Sequence, residues 1–214
     1  MKVLITGTSS GIGKAIAEKF LSCGHTVVGM DKCKAVISHA KYLHLQADIT
    51  GELPDVDGVD IIINNAGVQD SVSDIDVNLK GSMRVTEKYA FHDGIKSVLF
   101  IASASARTGA EFAEYAASKG GLVAYMKNVA LRLAKFGATS NSLSPGGVLT
   151  HSNDRVINDS EKWARIMEQT LLPKWATPEE IAEFAYFVTV VNKSMTAQDI
   201  LIDNGEAAKS VFVW

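Results

Sequence analysis

Short, uninterrupted apolar segments alternate along this chain with longer segments of helical periodicity, and this alternation restricts the fold more than any other feature. Strands that consist of continuous apolar runs are those that are buried on both faces of a sheet. When helical segments separate such strands, a parallel sheet with right-handed crossovers is expected. The predicted fold class is therefore α/β: a doubly wound parallel sheet in a three-layer α/β/α arrangement.

The pattern predicts seven strands and five helices within one domain. The strands are expected at residues 3–5, 26–30, 42–46, 61–63, 98–102, a short stretch ending at 144, and 200–202. The helices are expected at residues 12–22, 79–91, 112–136, 159–171 and 178–191. Since no linker or internal repeat interrupts the pattern, residues 1–214 form a single predicted domain.

Composition excludes several classes of protein. Of the 214 residues, 47% are hydrophobic and 21% are charged, which is ordinary for a globular chain and argues against disorder. The net charge of −3 lacks the basic excess of a nucleic-acid or anionic-membrane binder. Cys23 and Cys33 cannot form a disulfide framework, so we expect free thiols in a reducing compartment, the cytoplasm.

A glycine-rich segment follows the first strand and opens the first helix. Its sequence, Thr6-Gly7-Thr8-Ser9-Ser10-Gly11-Ile12-Gly13, has the spacing G-x-x-x-G-x-G. Glycines at such a turn let the backbone approach a pyrophosphate, and the helix N-terminus favours an anion. No glycine lies five residues before Gly13, so the segment is not a Walker phosphate loop. The motif alone is weak; its place between a strand and a helix strengthens it.

Two acidic residues follow later strands of the same predicted sheet. Asp31 ends the second strand, where a carboxylate can accept hydrogen bonds from an adenosine ribose and would repel a 2′-phosphate. This position favours NAD over NADP, although Lys32 could soften the repulsion. Asp48 follows the third strand at a position suited to adenine, but it could equally be a turn residue before Ile49.

Tyr115 and Lys119 are four residues apart and therefore lie on one face of the predicted long helix. A tyrosine with its ordinary pKa near 10 is a poor acid–base catalyst at neutral pH. A neighbouring ammonium group stabilises the phenolate and lowers that pKa. The pair also fits a solvated helix surface, so by itself it is a weak signal.

Together, the motifs of this chain resemble those of the short-chain dehydrogenase/reductase family in its compact, single-domain form. The matching segments, in chain order, are Thr6–Gly13, Asn64-Asn65-Ala66-Gly67, Val77-Asn78-Leu79-x-Gly81, Ile101-Ala102-Ser103, Tyr115-Ala116-Ala117-Ser118-Lys119, Ser144-Pro145-Gly146-x-Val148-x-Thr150, 178–182 and 203–205. They extend over residues 1–205. No single motif is decisive, but their joint occurrence in this order is very specific.

The resemblance implies a Rossmann-type fold and a role for each matching residue. Tyr115 is the expected general acid or base, Lys119 the group that lowers its pKa and binds the nicotinamide ribose, and Ser103 the group that holds the substrate oxygen. Asn78 is expected to hold a water that links Lys119 to solvent. The expected cofactor contacts are Gly7, Ser9, Ser10, Gly11, Ile12, Gly13, Asp31, Asp48, Ile49, Asn65, Ala66, Gly67, Tyr115, Lys119, Pro145, Gly146, Val148 and Thr150; no metal ligand is expected.

The chain departs from the family pattern in four places, one of which, Asn204 at the second residue of the family's D-G-G, has no functional interpretation. Asn78 follows Gly67 by only 11 positions, about half the spacing usual in the family, and the resemblance implies that this removes a helix that relatives use between subunits. The usual tetramer is therefore in doubt, but a homo-oligomer is still expected. The connection after Asp31 is also short. Ser103 precedes Tyr115 by 12 residues, one fewer than is common, so Ser105 could take part.

Residues 149–172 are the expected substrate lid. The lid contains His151, interpreted as solvated, and Trp163 and Met167, interpreted as internal packing. Glu111 and Phe112 precede Tyr115 and could flank the site, and the apolar tail 211–214 could cover a subunit contact.

The predicted activity is the nicotinamide-dependent interconversion of a secondary alcohol and a ketone, with a small-molecule substrate. The alternatives are an NADPH-dependent 3-oxoacyl reductase and a non-catalytic dinucleotide sensor. A methyltransferase of the same fold would not need the Tyr115–Lys119 pair.

Overall fold

The computed structural model describes residues 1–110 and 112–209, and its centre is a seven-stranded sheet in which all neighbouring strands are parallel. The strands are β1 (Lys2–Thr6), β2 (Thr26–Asp31), β3 (Tyr42–Gln46), β4 (Ile61–Asn64), β5 (Ser97–Ile101), β6 (Thr139–Pro145) and β7 (Asp199–Ile202). Their order across the sheet is β3-β2-β1-β4-β5-β6-β7. Successive strands are therefore added in one direction from β1 to β3 and in the opposite direction from β4 to β7, and a doubly wound sheet binds ligands at this switch point between β1 and β4.

Helices cover both faces of the sheet, as the sequence predicts. They are α1 (Gly11–Ser22), α2 (Ser82–Tyr89), α3 (Ser105–Thr108), α4 (Ala113–Leu133), α5 (Asp154–Ile157), α6 (Ser160–Met167) and α7 (Pro178–Tyr186). A π-helical turn, Ile75–Gly81, leads into α2, and a second one, Phe187–Val191, continues α7. Within the described residues, no helix is long and apolar enough to cross a membrane.

Successive residues of the central strands face opposite layers. Ile61 and Ile63 of β4 belong to the core that packs under α1 and α7, whereas Ile62 belongs to the core under α2 and α4. All three are fully buried. This explains why the strand is apolar without interruption.

Two predicted helices have different boundaries in the structure. The segment expected at 79–91 starts earlier, with the π-helical turn at Ile75, and α2 ends at Tyr89. The segment expected at 159–171 stops as a helix at Met167. Residues 171 and 172 instead donate their backbone N–H groups to the carbonyl oxygen of Asn204, both at 3.0 Å, and this tertiary contact ends the helical pattern.

The covering of the sheet is incomplete at β3, which corrects the expectation that every strand is covered on both faces. Residues 32–41, all of them described, form no helix between β2 and β3. The side chain of Leu43 is consequently 55% exposed. The short connection after Asp31 thus leaves one end of the three-layer arrangement open.

Candidate active site

The glycine-rich turn brings β1, the start of α1 and the end of β4 into close contact. Gly7 and Gly11 have positive φ values of 76° and 49°, which only glycine adopts readily. A Cβ atom on Gly13 would lie 2.0 Å from the carbonyl oxygen of Gly7, so a side chain has no room there. The backbone at the N-terminus of α1 is therefore presented directly to the cavity above the sheet, in an arrangement suited to a phosphate group.

Hydrogen bonds fasten the glycine turn to the loop after β4. The hydroxyl of Thr6 accepts bonds from the backbone N–H groups of Asn65 and Ala66, both at 3.0 Å. In return, the side-chain amide of Asn65 donates to the carbonyl oxygens of Thr6 and Gly7 at 3.0 and 3.2 Å. The two sides of the switch point are thereby held in one fixed geometry.

Asp31 is held in place by backbone groups on either side of its carboxylate. One oxygen accepts the N–H of Ser9 and the other accepts the N–H of Cys33, each at 2.9 Å. The hydroxyl of Ser9 in turn donates to the carbonyl oxygen of Lys34 at 3.0 Å. These contacts fix a negative charge at the end of β2, on the wall of the cavity.

Asp48 also has fixed partners at the cavity wall. One of its carboxylate oxygens accepts the N–H and the hydroxyl of Thr50 at 2.8 and 2.7 Å, and these hydrogen bonds lower the pKa of Asp48. The next residue, Ile49, is buried and lines the same cavity. Asp48 thus remains ionised beside an apolar surface.

Ser103, Tyr115 and Lys119 line one cavity, although they come from the end of β5 and from the first two turns of α4. The ammonium nitrogen of Lys119 lies 5.6 Å from the ring centre of Tyr115 and donates to the carbonyl oxygen of Ile101 at 2.9 Å. Lys119 is only 5% exposed, and this burial lowers its pKa to about 8.

Ser103 lies within reach of the second serine that the spacing raised as an alternative. Its hydroxyl donates to the hydroxyl of Ser105 at 3.1 Å and accepts the N–H of Ser105 at 3.2 Å. Ser103 lines the cavity, whereas Ser105 is buried behind it as the first residue of α3. Ser105 therefore orients Ser103.

Asn78 lies in the π-helical turn and is buried behind the cavity wall. Its side-chain oxygen accepts the N–H of Val68 at 2.8 Å, and its side-chain nitrogen donates to the carbonyl oxygen of Val68 at 2.9 Å and to the hydroxyl of Ser118 at 3.0 Å. The Ser118 hydroxyl donates to the carbonyl oxygen of Tyr115 at 2.7 Å. Asn78 thus connects the loop after β4 to the helix that positions Tyr115.

The cavity, with a volume of about 770 Å³, brings together most of the sequence-predicted site residues. Three do not line it: Ser9, Gly13 and Asn78, which act on the residues that do. Sequence reasoning missed the segment from Val68 to Ser71, which also lines the cavity. Its place directly after the Asn-Asn-Ala-Gly motif could have indicated that the segment lies near the site. The turn that brings it to the cavity, with a φ of 58° at Asp70, has no sequence signature.

The expected lid is a series of short helices over the cavity. Residues 151–153 form a 3₁₀ turn before α5 and α6, and Thr150, His151 and Arg155 line the cavity. The His151 side chain is 97% exposed. Trp163 packs edge-on against Trp175, three residues beyond the lid, with ring centres 5.2 Å apart, so this tryptophan packs internally, as predicted, but against the segment that follows the lid. Glu111 lies outside the described residues.

The geometry fits a dinucleotide. A glycine-rich turn meets a helix N-terminus, and an anchored carboxylate lies at the end of β2. A polar cluster of Ser103, Tyr115 and Lys119 lines the same cavity. A Cβ atom on Gly11 would lie 3.3 Å from the methyl group of Thr150, so the lid approaches this turn closely. In the described part of the chain, no three His, Cys, Asp or Glu side chains are grouped to hold a metal ion.

Comparison with known proteins gives consistent matches over almost the full length. The family model described as enoyl-(acyl carrier protein) reductase matches residues 7–206. The D-beta-hydroxybutyrate dehydrogenase of Rhizobium meliloti is 30% identical over 96% of this chain and 98% of its own length. The 3-oxoacyl-(acyl-carrier-protein) reductase FabG of Chlamydia pneumoniae is 30% identical over 95% of this chain and 96% of its own.

A solved structure from Beutenbergia cavernae has the same fold. It is assigned as an NAD(P)-dependent gluconate 5-dehydrogenase with NADP bound at low occupancy. Its sequence is 25% identical, and it superposes with a TM-score of 0.87 over 97% of each chain.

Proposed function

This chain belongs to the short-chain dehydrogenase/reductase family, and from that premise we propose which of its residues perform the family's reaction. The protein is an oxidoreductase that interconverts a secondary alcohol and a ketone with a nicotinamide dinucleotide. When bound, the dinucleotide supplies or accepts the hydride. The chain's own residues bind the reactants and move the proton.

Tyr115 is the proposed general acid in reduction and the general base in oxidation. In reduction, its hydroxyl gives a proton to the carbonyl oxygen as that oxygen gains negative charge; in oxidation, its phenolate takes the proton of the alcohol. The observation that most supports this role is the buried ammonium group of Lys119, 5.6 Å from the Tyr115 ring centre in the same cavity. A cation so placed stabilises the phenolate.

The neighbouring polar groups complete the proposed site. The hydroxyl oxygen of Ser103 is held by the N–H of Ser105, and on substrate binding the Ser103 O–H turns from the Ser105 oxygen to donate to the substrate oxygen near Tyr115. Asn78 holds the loop at Val68 in place, and we keep for it the proposed role in linking Lys119 to solvent through a water molecule. Gly7, Gly11 and the start of α1 hold the pyrophosphate.

For the cofactor we propose NAD rather than NADP. The support is the Asp31 carboxylate, which two backbone N–H groups hold at the cavity wall. A 2′-phosphate placed there would meet a fixed negative charge. The adjacent Lys32 also lines the cavity, and a relative binds NADP, so the ratio of the two dissociation constants is the decisive quantity.

A second candidate function is the reduction of a 3-oxoacyl thioester with NADPH. The similarity to FabG over 95% of this chain favours it. A panel of hydroxy acids, sugar alcohols and 3-oxoacyl thioesters separates the two functions when it is followed at the nicotinamide absorbance with NAD(H) and NADP(H) in parallel. Turnover of thioesters alone, with NADPH, would select the second candidate, and no turnover of any substrate would contradict both.

We also propose a cytoplasmic homo-oligomer. Cys23 and Cys33 are free and exposed, which suits a reducing compartment. The side chains of Phe184 and Phe187 are 43% and 52% exposed on α7 and the turn that follows it, and Val191 is 54% exposed. An apolar surface of this kind favours a subunit contact.

A further inference from the structure

The short connection between β2 and β3 is fixed by side chains where it passes the cavity. Its first three residues, the 32–34 segment, follow Asp31 and form no helix, and two of them, Lys32 and Cys33, line the cavity. Each carbonyl oxygen of the segment accepts one side-chain hydrogen bond: Lys32 from the amide of Gln46 at 3.1 Å, Cys33 from Nε2 of His44 at 2.9 Å, and Lys34 from the hydroxyl of Ser9 at 3.0 Å. Two of the three donors belong to β3.

The same segment holds the Asp31 carboxylate. The peptide group between Lys32 and Cys33 accepts the hydrogen bond of Gln46 at its carbonyl oxygen and donates its N–H to Asp31 at 2.9 Å. The carbonyl oxygen of Cys33 belongs to the next peptide group, which His44 holds. Movement of the segment away from β3 would therefore take an N–H group away from the carboxylate.

A chain of hydrogen bonds joins the 32–34 segment to the glycine-rich turn through two side chains of β3. The Tyr42 hydroxyl lies 2.8 Å from the Thr8 hydroxyl and 3.0 Å from Nδ1 of His44. A carbonyl oxygen can only accept, so Nε2 of His44 carries the hydrogen that Cys33 accepts. In the neutral imidazole, Nδ1 then accepts from Tyr42, and the Tyr42 oxygen accepts from Thr8. The donors therefore all point from the turn toward the segment.

The middle of this chain occupies a space that β2 leaves free. Thr8 is fully buried, and a Cβ atom on Gly29 would lie 2.2 Å from the Tyr42 hydroxyl oxygen and 2.5 Å from the Thr8 hydroxyl oxygen. Glycine weakens the interior of a strand and often marks the close approach of another group. Burial raises the pKa of Tyr42, so its hydroxyl keeps its hydrogen at neutral pH. The contact between Tyr42 and Thr8 thus depends on the absence of a side chain on β2.

We propose that Tyr42 and His44 are positioning residues for the cofactor: they hold the 32–34 segment against the glycine-rich turn and thereby set the preference for NAD over NADP. The proposal rests on the proposed function, in which Asp31 faces the adenosine ribose. Neither Tyr42 nor His44 lines the cavity, so both act through the segment. A fixed segment keeps the carboxylate where a 2′-phosphate would meet it, whereas a released one lets Asp31 turn away and Lys32 approach the phosphate.

The first test compares the dissociation constants of NADH and NADPH in His44→Phe, which keeps a ring but has no donor for Cys33. We expect the ratio of the NADPH constant to the NADH constant to fall about fivefold, the effect of one hydrogen bond. The matched control is His39→Phe in the same connection, because the His39 ring accepts the N–H of Lys41 at 3.0 Å and lies outside the cavity. His44→Gln, whose amide can donate to Cys33, should restore most of the wild-type ratio.

The second test is amide hydrogen exchange in the cofactor-free protein, which requires no ligand. In the wild type, the N–H of Cys33 is protected because it donates to Asp31. Without the contact to His44, this N–H should exchange about fivefold faster in His44→Phe, and His39→Phe should leave its exchange rate unchanged.

Tyr42→Phe decides the case in which His44→Phe does not fold, because it removes a single hydroxyl group. The chain from Thr8 is then broken, while His44 can still donate to Cys33. We expect changes in the same direction, about threefold in the cofactor ratio and in the exchange rate of Cys33. Wild-type values of both quantities in Tyr42→Phe would overturn the role given to the chain.

The outcomes separate this proposal from the proposed function. If the wild type prefers NADH but His44→Phe has the cofactor ratio of His39→Phe, the proposal is wrong, even if Cys33 exchanges faster. If the wild type binds both cofactors equally, the proposed preference for NAD fails, and the exchange rate of Cys33 alone decides whether His44 holds the segment. An unchanged rate in His44→Phe would then overturn the proposal as well.

Discussion

At the scale of single residues, the side chains of this site are fixed by backbone groups before any ligand binds. Asp31 is the clearest case, since the N–H groups of Ser9 and Cys33 hold both of its oxygens. Charged groups that are already oriented lose little conformational freedom on binding. The negative charge of Asp31 is therefore available for discrimination between NAD and NADP.

Replacement of Asp31 tests this discrimination. We expect the wild type to bind NADH more tightly than NADPH, and Asp31→Ala to narrow the gap by about 1–3 kcal/mol, the scale of a charged hydrogen bond. Asp48→Asn is the matched control, because removal of this second carboxylate from the cavity should weaken the binding of NADH and NADPH by the same factor. Fluorescence titration with each cofactor gives the constants, and equal binding of both by the wild type would refute the proposal for NAD.

Motifs predicted the residues that contact the cavity better than those that support it. Tyr115 and Lys119 were recognisable because their spacing puts them on one helix face. The burial of Asp74, which is 1% exposed directly before the π-helical turn, was not recognisable, because an acid before a helical segment normally caps it or faces solvent. Its burial depends on how the π-helical turn packs against α4, which no local pattern encodes.

At the scale of secondary-structure elements, the contact between β1 and α1 depends on the absence of side chains. A Cβ atom on Gly13 would meet the backbone of Gly7, which cannot move without disturbing Asn65 and its hydrogen bonds. On α4, by contrast, a Cβ atom on Gly120 would meet nothing closer than 3.9 Å. The two glycines therefore differ in what they contribute, although both lie in helices.

Alanine at these two positions should have opposite effects. Gly13→Ala is expected to cost about 1–3 kcal/mol of stability through overpacking and to raise the Kd for NADH at least about tenfold. Gly120→Ala is expected to stabilise α4 by about 0.5–1 kcal/mol without changing NADH binding. Urea unfolding and cofactor titration measure both quantities, and unchanged NADH affinity in Gly13→Ala would contradict the role given to the turn.

The order and type of the elements could be predicted from the sequence, and some of their ends could not. All seven strands lie within a residue or so of the predicted positions. Apolar runs mark most of them as buried parallel strands, but β6 is buried although its sequence, Thr-Ser-Asn-Ser-Leu-Ser-Pro, is mostly polar. The end of α6 was missed because Asn204, far along the chain, binds the backbone of residues 171 and 172. The interruption of a helix by a distant residue has no periodic signature.

At the scale of the whole molecule, the shortened connections change which surfaces are available for assembly. Residues 68–73, between the loop after β4 and the π-helical turn, form no helix, so less surface is available beside the long helix α4. The other surface, formed by α7, the turn after it and the edge strand β7, retains its exposed apolar side chains. The apolar tail 211–214 lies outside the described residues, so its proposed contribution stays a prediction.

A charge placed on the α7 surface tests the proposed assembly. We expect a closed homo-oligomer with an interface above about 1,000 Å². Phe187→Asp should convert it to monomers in light scattering at micromolar concentration, because a charge would be buried without a partner. The control is Leu131→Asp on α4, where the side chain is 79% exposed and we expect no change. A monomeric wild type would refute the proposed oligomer.

The most direct test of the central proposal, that Tyr115 transfers the proton in a nicotinamide-dependent oxidoreduction, is the turnover of Tyr115→Phe. With a substrate found in the panel, kcat should fall by about 10²–10⁴-fold while NADH affinity hardly changes, because only the hydroxyl is removed. Tyr125→Phe is the matched control on the same helix, since its hydroxyl donates to Glu87 at 2.8 Å and lies outside the cavity. A kcat of Tyr115→Phe within about threefold of the wild-type value would contradict the account, because loss of general acid–base catalysis should lower kcat at least about 10²-fold.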